Sequence, residues 1–74
     1  MTRFENAQSV VVNEVGHPLV GRSGVVVRLR RADDAAWVRM DDPIPSALAR
    51  FLDGDPRRND VMLYPDQCIE GDNL

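Results

Sequence analysis

Four side chains with recognition chemistry occupy the outward positions of one predicted hairpin: Arg28 and Arg30 on its first strand, Trp37 and Arg39 on its second. A guanidinium donates hydrogen bonds in a planar fork, and an indole combines a broad apolar surface with one N–H. Such a set combines apolar area with directed hydrogen bonds, which suits an interface anchor rather than the making of bonds. A second pair, Met62 and Tyr64, projects from one face of the run DVMLY, and both residue types are enriched where one protein surface closes on another.

The remaining reactive residues do not assemble into a site. His17 is the single histidine, sits beside Pro18 and has no second histidine or cysteine nearby to complete a metal site, so it reads as a solvated or structural loop residue. Cys68 is the single cysteine, which rules out an intrachain disulfide and reads as a small buried hydrophobe. Asp53, Asp55, Asn59 and Asp60 have the acidity of a calcium loop, but the glycine and the glutamate that such a loop needs at its turn and its end are absent. All nine basic residues are arginine, so Schiff-base chemistry is excluded. No catalytic residue, metal or cofactor is expected.

The elements that must carry these residues are short strands. Ser9–Asn13 is a β-branched run that reads as the first strand, and the two glycines and the proline of Glu14–Ser23 describe a loop. From Gly24 onward, Val25, Val27 and Leu29 alternate with Val26, Arg28 and Arg30, which assigns the first set to the core and the arginines to the outside. The polar turn RADD follows, and then Ala36, Val38 and Met40 face the core while Trp37 and Arg39 face out. The prolines of DDPIP must leave the sheet. Ile44, Leu48, Phe51 and Leu52 recur at helical spacing, so a helical turn between residues 45 and 52 is expected to cover one end of the core. Asp60–Tyr64 and Cys68–Glu70 read as the last two strands, separated by a turn at PDQ. The expected fold is therefore all-β: a small barrel of about five antiparallel strands over residues 8–70, with residues 1–7 and 71–74 as loose ends.

A chain of 74 residues makes one domain and, on folding, hides only about 60% of the surface its unfolded form exposes. Burial against a partner protein or another copy of the chain is thus an expected supplement. The composition, 43% hydrophobic and 28% charged, is that of a globular domain, and no apolar run approaches the ~20 residues of a membrane helix. No membrane partner is expected. The N-terminus lacks the apolar segment of a secretory signal, and a cytoplasmic location is the expectation. Twelve acidic residues against nine basic ones give a net charge of −3, which opposes general binding of a phosphate backbone.

The run Val10–Val27 resembles the KOW-type element of SH3-like barrels, in which two valine-rich strands flank a glycine-bearing loop. Gly16, Gly21 and Gly24 stand where such glycines are expected. The resemblance continues through WVRMD and VMLYPDQCIE. It implies an SH3-like barrel, of the kind found as accessory subunits docked on photosynthetic and nitrile-converting enzymes and on mobile elements such as integron cassettes. KOW members contact nucleic acid through basic loops, and the corresponding loop here carries only Arg22 and His17 beside Glu14. VMLYP also resembles the VQIYP strand of the plasmid-borne type II dihydrofolate reductases, tetramers of SH3-like barrels with a shared central pore. That likeness implies contact of Leu63 and Tyr64 with cofactor and substrate; Met62 replaces the family's glutamine, and its pore lysine has no counterpart. The expected function is non-catalytic: docking on a protein partner, or self-association, through Arg28, Arg30, Trp37 and Arg39 or through Met62 and Tyr64. Nucleic-acid binding by the same arginine-rich face is the alternative, and an oligomeric pore enzyme a third reading.

Overall fold

The computed structural model describes residues 1–71 and arranges five strands in one antiparallel sheet. The strands are β1 (Ser9–Val12), β2 (Ser23–Arg30), β3 (Ala35–Met40), β4 (Asp60–Leu63) and β5 (Cys68–Glu70). Helix α1 (Ser46–Phe51) separates β3 from β4, and a 3-10 turn at Pro65–Gln67 separates β4 from β5. The strand order is β4-β3-β2-β1-β5, so the last two strands lie at opposite edges of the sheet. Only Tyr64–Gln67 joins them. Four strand spacings in a flat sheet measure about 19 Å, whereas a 3-10 turn advances only about 2 Å per residue. The sheet must therefore curl, and its concave face holds the core: Val10, Val12, Val26, Val38, Val61 and Leu63 are all essentially inaccessible.

The phase of β2 departs from the regular alternation of its sequence. Val26 pairs with Val38 and Arg28 with Trp37, which leaves Val27 as an extra residue in a β-bulge. Upstream of the bulge the inward residues are Gly24 and Val26, and downstream the phase returns to Leu29. Val26 is 1% exposed and Val27 39% exposed, so the assignment of Val25 and Val27 to the core is corrected while that of Leu29 stands. A strict period of two cannot survive an inserted residue. Gly24 is required where it lies, since a Cβ there would come within 2.5 Å of the Arg39 carbonyl oxygen across the β2–β3 pair.

Leu48 of α1 and the flanking Ile44 and Leu52 pack against the core, but Phe51, expected among them, is 77% exposed. The helix is too short to bury four positions; Ala49, on its inner side, is fully covered instead. It ends in a Schellman arrangement: the Gly54 N–H donates to Ala49 O (2.8 Å) and the Asp53 N–H to Arg50 O (3.1 Å), with Asp53 in the left-handed region at φ 58°.

Residues 1–7 form no strand or helix but lie on the sheet. Phe4 belongs to the core at 4% exposure, the Met1 ammonium donates to Pro65 O (3.1 Å) and Cys68 O (3.0 Å), and the Ala7 N–H donates to Val26 O (2.9 Å). One aromatic anchor leaves no periodicity in a sequence. At the other end the Gly71 N–H donates to Ser9 O (2.7 Å); the rest of the 71–74 segment falls outside the described residues.

Candidate functional site

The outer face of the β2–β3 hairpin gathers four of the six singled-out residues. Arg28 lies directly opposite Trp37 in the register, and its guanidinium carbon sits 4.0 Å from the ring centroid, a cation–π stack. Arg30 lies 5.9 Å from the same centroid. The indole N–H donates to the carbonyl of Asp53 at 3.3 Å. That acceptor is available because the left-handed turn at the end of α1 redirects the backbone there, so helix termination and tryptophan placement are one event. Trp37 is thereby fixed on three sides and remains half-buried.

Arg39 is on the same face, opposite Val25, and its Nε donates to Arg58 O at 3.2 Å. Val27, Arg28, Trp37, Arg39 and Arg58, with the Asp53–Asp55 turn, surround a shallow depression of about 600 Å³. Among the described residues the ion pairs are Arg30–Asp33 and Arg58–Asp55, the second a long contact of 3.8 Å. Among the described residues Arg28 and Arg39 have no carboxylate partner of their own. Val25 and Val27 on β2 and Ile69 on β5 are exposed, and on the β2–β3 pair Val25 stands opposite Arg39 and Arg28 opposite Trp37.

Arg30 is differently occupied. Its Nε donates to Asp33 Oδ1 (3.0 Å) and its terminal nitrogen to Asp33 Oδ2, a fork-to-fork pair inside the hairpin turn. Tyr64 joins it: the hydroxyl donates to Asp33 Oδ2 at 3.3 Å and lies 3.4 Å from Arg30. The bonds from Arg30 hold the Asp33 carboxyl down at about 2, and Asp33 raises the Arg30 guanidinium further above its already high value.

The structure divides the second predicted pair. Tyr64 is exposed and belongs to the Arg30–Asp33 cluster, whereas Met62 is only 6% exposed, opposite Trp37 on β4, with its backbone N–H donating to Leu52 O (2.8 Å). The Leu52 carbonyl thus lies beside the edge strand β4, and the burial of Met62 within its own chain takes it out of any surface pair with Tyr64.

The acidic loop is held by its own hydrogen bonds. Asp60 Oδ1 accepts from the Asp55 N–H (2.7 Å), and the Asn59 side chain donates to Met40 O and Asp42 O while accepting from the Ile44 N–H, joining three segments at once. His17, 7% exposed, is buried rather than solvated; its Nδ1 accepts from the Leu19 N–H (3.0 Å), the geometry an Asx turn would use. Cys68 is buried as expected, and burial pushes its thiol up to about 11. The residues missed from the sequence are Val25, Val27 and Arg58: the bulge hid the first two, and Arg58 arrives from a distant loop whose approach no local pattern encodes. Among the described residues no helix is long and apolar enough to cross a membrane. Comparison with family models, curated proteins and solved structures finds no match to this chain.

Proposed function

We propose that this chain is a non-catalytic docking module, an SH3-like barrel that binds a protein partner or a second copy of itself through the outer face of β2 and β3. One observation carries the reading: Trp37 is held rigid by the Arg28 stack and the Asp53 carbonyl while part of its surface stays accessible, beside the exposed valines of β2. Aromatic and arginine side chains with little rotamer freedom left to lose make efficient interface anchors. The strand order with β5 returning beside β1, the short turn before β5 and the tight glycine at position 24 support the SH3-like assignment. Stacking of nucleic-acid bases on Trp37 is disfavoured, because the Arg28 guanidinium already covers a face of the ring.

The test is Trp37→Ala, compared with the parent chain by thermal unfolding and by association. Expected are a melting temperature within a few degrees of the parent and the loss of a contact, seen either as dissociation in sedimentation or as loss of a partner cross-linked in cells. A collapse of thermal stability with association unchanged would overturn the reading and make Trp37 a prop of the sheet.

A further inference from the structure

We infer that the partner of this face is an extended acidic segment of a protein in which carboxylates alternate with apolar side chains. This rests on the docking reading above and adds the chemistry of what docks. The outward residues form a two-by-two pattern: on β3, Arg39 is followed by Trp37, and across from them on β2 stand Val25 and then Arg28, with the bulged Val27 between. Cation and apolar group thus alternate both along each strand and across the pair. Successive outward side chains of a strand lie about 6.7 Å apart, the same step as residues i and i+2 of an extended peptide. A segment laid along β3 therefore meets Arg39 with one side chain and Trp37 with the next but one.

Charge decides which segment fits. Arg28 and Arg39 have no carboxylate partner among the described residues, although the chain has more acids than bases and pairs Arg30 with Asp33 a few residues away. The Arg28 guanidinium stacks on a π face and Arg39 donates to a neutral carbonyl, so neither is in direct contact with a carboxylate, although Asp53, Asp55 and Asp60 line the same depression. A phosphate polyanion fits less well. The exposed valines match the apolar side chains of such a segment and offer a polyanion nothing.

Trp37 is the only tryptophan, so its fluorescence reports this face alone. The full chain is titrated with three probes: a synthetic peptide bearing aspartate and leucine at alternate odd positions with serine between, the same peptide with each aspartate replaced by asparagine, and a single-stranded DNA oligonucleotide. The acidic peptide is expected to shift the Trp37 emission and to bind about tenfold more tightly at low salt than its amide analogue, an advantage that shrinks as salt is added. Arg39→Gln is expected to reduce that advantage several-fold with the circular dichroism unchanged, and Arg28→Gln to do the same independently. Equal binding of the two peptides overturns the acidic assignment while leaving the docking reading intact. Tighter binding of the oligonucleotide than of the acidic peptide overturns it in favour of nucleic acid. Silence from all three probes overturns it too, and the Trp37→Ala association experiment then decides whether the docking reading falls with it.

Discussion

Asp33 shows how much one exposed carboxylate can organise without being buried. It accepts from both arms of Arg30 and from the Tyr64 hydroxyl, so it ties the β2–β3 turn to the segment after β4. These bonds favour the ionised form and place its folded value at about 2, below the ordinary aspartate value of about 3.9 in the unfolded chain. The sign follows directly: with the folded value depressed, the contribution to stability is fully present above about pH 4 and is lost as the pH falls toward 2. Because the pair is open to solvent, the contribution itself is small and weakens with salt. Carboxyl NMR of the native protein is expected to show Asp33 titrating near pH 2, and Arg30→Gln is expected to return it toward the ordinary range. An Asp33 resonance that titrates near 4 in the parent chain would mean that the fork is not formed in solution.

At the scale of elements, the bulge in β2 is what sorts the hairpin into a core side and a working side. Without the extra residue, Arg28 could not stand opposite Trp37 while Val26 stands opposite Val38. Val26→Ala removes methyl groups from a site with no room to relax and is expected to cost on the order of 2 kcal/mol, whereas Val27→Ala at the exposed bulge is expected to cost well under 1 kcal/mol. Urea unfolding of the two variants measures this, and equal costs would contradict the observed phase. Most element positions were legible: Ser9–Val12, the RADD turn, the helix from Ser46 and the strand from Cys68 all announce themselves by β-branching, polar punctuation or helical spacing. What was hidden depends on partners distant in the chain. Nothing local says that a valine is bulged, that Met62 is buried, or that Phe4 reaches back into the core. The candidate face was legible at Arg28, Trp37 and Arg39, since the phase of β3 and the second half of β2 is regular, and illegible at Val25 and Val27, upstream of the bulge and at it.

For the molecule as a whole, the way the sheet closes has a consequence for time rather than for strength. The β2–β3 hairpin is made across a four-residue turn, but β1 meets β5 by pairing Val12 with Cys68 and Val10 with Glu70, contacts that span nearly the entire chain. Loop-closure entropy must be met before such contacts return anything, which puts this topology among the slower folders of its size. The hairpin is the natural nucleus, with β5 added after the rate-limiting step. Stopped-flow measurements on Trp37 fluorescence are expected to show Val38→Ala slowing folding and Cys68→Ala chiefly accelerating unfolding. The reverse pattern would mean that the ends of the chain meet first. In the expected order, the strand that completes the sheet is also the first to leave it. The face built on β2 and β3 then forms early and outlasts the closed sheet, so a partner could engage it before the molecule has finished folding.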